Sequence, residues 1–146
     1  MIVIDASVLA DALVVDGEVG DAASSALAAD DEWAAPEHLT IEVLSVLRKH
    51  HLRGTLSAAR ATEALDALRA IDVERVEIST LTERTWELKD NVGVYDAAYV
   101  AAAELLRIPL LTGDIRLTTA PGLRCQVIVP GGSTAVAGPR GGQQPG

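Results

Sequence analysis

Four acidic residues stand where a carboxylate is hard to explain as solvated surface. Asp5 directly follows the apolar run Ile2-Val3-Ile4, with Ser7 two residues on, where the chain turns into an Ala/Leu/Val segment. Asp114 holds a comparable place after Leu110-Leu111-Thr112. Glu42 lies in a segment whose apolar stripe is Leu39, Val43, Val46 and Leu47. At about 100° per residue it sits on the edge of that stripe, one turn from both Leu39 and Val46, and is expected to be part-buried. Asp96 opens an apolar helix and shares a face with Tyr99, Val100 and Ala103. A carboxylate on that face is costly unless it is paired, capped or bound to a cation.

None of the four has an obvious basic partner nearby in sequence. If they converge, mutual repulsion raises their pKa values unless a cation sits among them. All-oxygen ligation without His or Cys selects a hard ion, Mg²⁺ or Mn²⁺, over zinc. Carboxylate-held Mg²⁺ keeps waters and open positions, which suits a phosphate substrate: an ion can acidify an attacking water and offset charge on the leaving oxygen. Each acid also has a plainer reading. Asp5 could be a helix N-cap, Thr112-Gly113-Asp114 an ordinary turn, Glu42 a boundary residue paired with Lys49 or Arg53, and Asp96 a first-turn acid favoured by the helix dipole.

The elements that must position these residues follow from hydrophobic pattern. Short apolar runs alternate with longer helical segments, and the runs are continuous rather than alternating, as in strands buried on both faces. Strands are expected at Ile2-Val3-Ile4, at 109–112 and at 126–129, with weaker candidates at 33–35 and 75–78. Val19, Ala22, Ala23, Ala26 and Leu27 keep helical spacing, and 37–53, 57–71 and 80–90 read as three more helices. The last of these opens with Thr80-x-x-Glu83, a capping-box arrangement. From Ala97 to Leu106 nine of ten residues are apolar, so that helix should be buried nearly all round. Strands alternating with helices predict an α/β fold with a parallel sheet covered on both sides, its site at the carboxyl ends of the strands.

Length and composition set the frame. With 146 residues the chain is long enough for one domain with a core that needs no disulfide, and a single Cys excludes a disulfide framework. Residues 1–130 should form that domain. The segment 131–146 holds six of the 12 Gly and two of the six Pro and is expected to be a disordered tail. Arg140 is the tail's only charge, so the acidity belongs to the domain. The apolar N-terminus lacks a basic leader and is interrupted by Asp5, Asp11 and Asp16, which argues against a signal peptide or a membrane span. The cytoplasm is the expected compartment. A formal charge of −9 argues against the broad basic surface by which most nucleic-acid binders hold phosphates. One or two divalent ions bound by the four acids weaken that objection, and leave a phosphate substrate to be held through the ion rather than along a basic face.

The order IVIDAS, APEHLTIEVLSVLRK, DNVGVYDAAYVAAAELL and LLTGDIRL resembles a PIN-domain ribonuclease, specifically the VapC-type toxin of a bacterial toxin–antitoxin pair. The resemblance runs from Met1 to about Val129. It implies a PIN-like three-layer α/β/α fold around a mainly parallel sheet, and a Mg²⁺-dependent endoribonuclease that cleaves single-stranded or loop RNA by activated water. It also implies a homodimer and inhibition by a cognate antitoxin. The family's acidic quartet falls on Asp5, Glu42, Asp96 and Asp114, with Ser7 and Thr112 as orienting hydroxyls.

Several other residues have readings of their own. Arg116, two residues past Asp114, could reach the scissile phosphate or be an exposed loop arginine. Tyr95 and Tyr99 flank Asp96, and one of them could stack on a base. The basic run Arg48-Lys49-His50-His51-x-Arg53 reads as a solvated helix end, with phosphate contact the sharper alternative. Trp33, Trp86 and Cys125 are expected to pack, and Asp11 and Asp16 to lie on the surface. Competing classes fit less well. A haloacid-dehalogenase-type phosphohydrolase wants a second Asp where Ser7 stands, a phospho-accepting receiver needs an acidic pair and a Lys that are missing, and a dinucleotide-binding module lacks its Gly-rich turn. A PIN-like module that grips RNA or antitoxin without cutting remains the non-enzyme alternative.

Overall fold

The computed structural model describes residues 1–132, so the expected tail lies outside the described residues apart from Gly131 and Gly132. The chain runs β1 (Ile2–Ile4), α1 (Ala6–Val14), α2 (Glu18–Ala28), β2 (Trp33–Pro36), α3 (Leu39–Leu52), α4 (Ala58–Ala70), β3 (Glu74–Val76), α5 (Ile78–Glu87), α6 (Val94–Leu106), β4 (Leu110–Leu111), a 3₁₀ turn (Ile115–Thr118) and β5 (Val127–Ile128). All four strand pairings are parallel, and the sheet order is β3-β2-β1-β4-β5. The sheet is thus wholly rather than mainly parallel, between helical layers.

The sheet grows from β1 in one direction through β2 and β3, and in the other through β4 and β5. The seam between β1 and β4 is therefore the topological switch point, beyond whose strand ends α/β folds open a crevice. Val3 pairs with Leu110 and Ile4 with Leu111. One step further along that register, Asp5 lies opposite Thr112. Val3, Ile4, Leu110 and Leu111 are fully buried, which is why these strands read as unbroken apolar runs.

Helix α6 packs on β1, β2 and β4 and pairs with α5, while α1 packs against α2, α3 and α4. Residues Ala97 to Ala103 are all buried. Arg84 of α5 holds Glu104 of α6 through Nε at 2.6 Å and the Gly122 carbonyl at 2.7 Å, tying both helices to the segment that leads into β5. The turn from α1 into α2 is close: a side chain at Gly20 would run into the Val15 carbonyl.

Three local expectations are corrected. Helix α5 begins at Ile78 with Glu77 as its N-cap, and the Thr80 hydroxyl donates to the Glu77 carbonyl at 2.7 Å rather than opening a capping box. β3 pairs with β2 and ends at Val76, so Ile78 has already passed into that helix. Trp86 is exposed and lies beneath the Lys89 ammonium, whereas Trp33 is anchored by its indole N–H to the Leu27 and Asp30 carbonyls. Cys125 is buried, as expected.

Candidate active site

Asp5 sits between the end of β1 and the first turn of α1. Its backbone is extended and its carboxylate accepts the Val8 N–H at 3.1 Å, so the N-cap reading holds. Capping occupies only part of the carboxylate. The Ser7 hydroxyl donates to Oδ1 at 2.6 Å, and the Thr112 hydroxyl donates to Oδ2 from the end of β4. Each hydroxyl also accepts a backbone N–H from the β4 side, Ser7 from Gly113 and Thr112 from Asp114, both at 3.0 Å. Two hydroxyls thus lock the strand ends together around one buried carboxylate. Asp5 is 4% exposed, and burial pushes its pKa up to about 6 against the pull of its hydrogen bonds, with the Asp96 charge adding to the rise.

Asp96 is the third residue of α6, whose N-cap is Gly93, so it does not cap the helix. Its pKa is raised first by burial and then by the charges of Asp114 and Glu42, with Arg116 opposing. Asp96 lines one cavity with Asp114 and Arg116, while Glu42 lies at a neighbouring one, and its charge and that of buried Asp5 both couple to Asp96. Asp114 caps the 3₁₀ turn by accepting the Arg116 N–H at 3.0 Å. The Arg116 guanidinium also forks onto it, Nε at 2.9 and 3.2 Å and an outer nitrogen at 2.7 Å, which holds the Asp114 pKa below its ordinary value.

Glu42, in the first turn of α3, has neither Lys49 nor Arg53 as partner. Its Oε1 lies 2.8 Å from Nε2 of His38, one turn earlier. The approach is poorly aligned for a hydrogen bond, and both atoms are buried without another partner. The His38 ring packs on Tyr99 at 4.8 Å between centroids and on Tyr95 at 5.7 Å. Tyr99 is 1% exposed and its hydroxyl has no directed partner, while burial and the charges of Glu42 and Asp5 raise its pKa. Tyr95, by contrast, is exposed.

Of the seven residues singled out in the sequence, Asp5, Ser7, Thr112, Asp114 and Arg116 are joined by hydrogen bonds, Asp96 lines a cavity with Asp114 and Arg116, and Glu42 is coupled to Asp96 by charge alone. His38 was missed, although its i, i+4 spacing to Glu42 is legible. Asp11, expected on the surface, is half-buried one turn beyond Ser7, and burial raises its pKa against the effect of His50. Among the described residues no three His, Cys, Asp or Glu side chains stand close enough together to hold an ion as they are. Oxygen donors throughout, repulsion among buried acids and the orphaned Oε1 of Glu42 nevertheless fit a hard divalent ion whose shell is completed by water.

Comparison with known proteins agrees with this geometry. The sequence pattern of the PIN domain matches residues 2–123. The chain is 43% identical to Ribonuclease VapC1 of Mycobacterium tuberculosis over 128 residues, covering 84% of this chain and 96% of that protein. It is 37% identical to Ribonuclease VapC9 of the same organism over 129 residues, covering 88% and 98%. Among solved structures, a toxin–antitoxin complex from Klebsiella pneumoniae holds a chain that superimposes with a TM-score of 0.63 at 23% identity, over 89% of this chain and 98% of that one. Matched over most of its length in sequence and in fold, the chain belongs to the PIN-domain family, beside relatives named as VapC ribonucleases.

Proposed function

We propose that this protein is a divalent-metal-dependent endoribonuclease toxin that cleaves single-stranded or loop RNA in the cytoplasm and is neutralised by a cognate antitoxin. The observation that carries the reading is the linkage of Asp5 and Asp114 through the Thr112 hydroxyl at the ends of β1 and β4, with Asp96 and Asp114 lining one cavity beside it. The ribonuclease names of VapC1 and VapC9, both matched over more than nine-tenths of their length, support it.

In this mechanism Asp5, Glu42, Asp96 and Asp114 would hold Mg²⁺, or Mn²⁺ in its place. When bound, the ion supplies Lewis acidity, lowering the pKa of the attacking water and offsetting charge on the departing oxygen. Ser7 and Thr112 keep the Asp5 carboxylate from rotating, one hydroxyl on each of its oxygens, so that its remaining lone pairs hold one orientation. Asp96 and Asp114 face the same crevice from α6 and from the segment after β4. Arg116, exposed at its rim, is placed to meet the scissile phosphate. The overall charge of −9 gives RNA little long-range attraction, so binding rests on the site and a few cations.

Two partners belong to the same reading. An antitoxin segment bearing Arg can occupy the carboxylates, since a guanidinium fork matches their geometry, and the Klebsiella neighbour comes from a toxin–antitoxin complex. A second copy can cover the apolar face formed by Ile78, Trp86, Val94 and Tyr95, all exposed around a cavity of about 400 Å³. Trp86→Glu should then shift the homodimer to monomer in analytical ultracentrifugation.

The deciding experiment is cleavage of single-stranded RNA with Mg²⁺, with EDTA, and with Asp5→Asn or Asp96→Asn. Loss of cleavage in EDTA and in both variants is expected. Cleavage that survives both substitutions overturns the mechanism, and binding of RNA without turnover by the unsubstituted protein makes it a non-cutting module instead.

A further inference from the structure

Among the described residues, Arg116 is the one Lys or Arg that forms an ion pair with any of the four acids. Its guanidinium is held to Asp114 by three contacts between 2.7 and 3.2 Å, engaging both carboxylate oxygens. The two partners differ in setting: the Arg116 side chain is 84% exposed and that of Asp114 is 20% exposed. The pair can therefore open outward, with the departing guanidinium already solvated. The Arg116 N–H is separately bonded to Asp114, so the main chain stays fixed while side-chain torsions alone move the guanidinium. Beside the pair lies a cavity of about 310 Å³ bounded by Asn91, Gly93, Asp96, Asp114, Arg116 and Leu117.

We propose that Arg116 is an internal counter-cation that competes with the divalent ion for Asp114 and, once displaced, binds the RNA phosphate at the cleavage position. This rests on the metal-site reading above. The fork uses the oxygens that an ion would need, so ion binding has to break or share it. A guanidinium fits phosphate oxygens as well as a carboxylate, which gives the displaced side chain a second partner of matching geometry. The Arg116 charge also eases repulsion at Asp96, as a bound ion would. Ion and phosphate should consequently favour one another's binding, because each removes Arg116 from the other's competing state.

The test is calorimetric titration of Mn²⁺ into RNA-free protein, together with steady-state RNA cleavage. Arg116→Ala should bind Mn²⁺ about five- to tenfold more tightly than wild type, while its KM for RNA rises. Arg116→Lys keeps a point charge but loses the fork, so its ion affinity should be intermediate and its KM close to wild type. Unchanged or weakened Mn²⁺ affinity in Arg116→Ala overturns the competition, and an unchanged KM overturns the phosphate role. Asp114→Asn and Asp5→Asn separate the two readings. If both lose Mn²⁺ and Arg116→Ala gains none, this proposal alone fails. If neither loses Mn²⁺, the metal site fails and this proposal with it.

Discussion

The Thr112 hydroxyl, at the end of β4, donates to the carboxylate of Asp5, at the end of β1, across 107 positions of sequence. It simultaneously accepts the Asp114 N–H at 3.0 Å, so one fully buried hydroxyl links two of the four acids. The parallel register of β1 and β4 makes this link possible by setting Asp5 opposite Thr112. The two strands at the switch point thus bring their following residues together as part of the same pairing that builds the sheet.

Thr112→Val therefore leaves the Asp114 N–H without its acceptor and Asp5 with two of its three donors, Ser7 and Val8. Loss of a buried hydrogen bond to a charged group predicts a destabilisation of about 2–3 kcal/mol in urea unfolding. Cleavage should fall about ten- to a hundredfold as the carboxylate loosens. Thr112→Ser, which keeps the hydroxyl, should recover most of both. Ser7→Ala also removes a donor to the Asp5 carboxylate and should cost about 2 kcal/mol, the Gly113 N–H it releases adding little because it lies in exposed backbone.

Asp5→Asn should make the ion-free protein more stable while removing cleavage. In the wild-type protein the Asp5 pKa lies at about 6 when folded against 3.8 for the unperturbed group. Between those values the folded state holds the extra proton, so stability falls as pH rises through the window and stays lower above it. The shift corresponds to about 3 kcal/mol, part of which the imperfect hydrogen bonding of Asn gives back. In EDTA at pH 8 the variant should gain about 1–2 kcal/mol, with the gain fading towards pH 4. Added Mg²⁺ should raise the melting temperature of wild type, and removing it should reverse the effect, whereas Asp5→Asn should respond little. A wild-type stability that is flat between pH 4 and pH 6 in EDTA contradicts the buried-carboxylate account.

His38→Ala should lower kcat/KM about tenfold, mostly as a higher Mg²⁺ requirement, because Glu42 loses the imidazole 2.8 Å from its buried oxygen. The lost contact with Tyr99 should cost about 1 kcal/mol in stability. His38→Gln retains a donor at that place and should restore the Mg²⁺ dependence but not the stability. Equal Mg²⁺ dependence in wild type and His38→Ala assigns His38 to packing alone.

Gly20→Ala tests the scaffold rather than the site. The added methyl would run into the Val15 carbonyl where α2 returns along α1, and overpacking of that kind predicts a loss of about 3 kcal/mol in chemical denaturation. Gly93, the N-cap of α6, has open space around it and a φ of −60°, so Gly93→Ala should cost only about 0.5–1 kcal/mol, the cap preference of Gly over Ala.

Much of the site was readable without coordinates because two of its acids follow buried strands. Unbroken runs such as Ile2-Val3-Ile4 mark strands covered on both faces, and in a parallel sheet the residue after such a run is delivered to the crevice. Glu42 and Asp96 were legible from their positions against apolar helix faces. Local frames were less secure. The helix that appeared to open at Thr80 starts two residues earlier, because satisfaction of the first-turn N–H groups depends on where β3 releases the chain. Trp86 is large enough to suggest a packing residue because size predicts burial on average, whereas it stands exposed at a cavity it shares with Val94 and Tyr95 of α6.

Sequence by itself determined the residue types, their order and the strands they follow, because burial of continuous apolar runs is a local demand that each segment expresses alone. The tertiary structure decided which strand ends meet. Placing β4 rather than β3 beside β1 sets Thr112 against Asp5 and brings Asp114 within reach of Asp96. It also decided the partners of each charge, His38 near Glu42 and Arg116 on Asp114. Coulombic coupling and desolvation depend on distance and burial, which spacing along the chain does not contain.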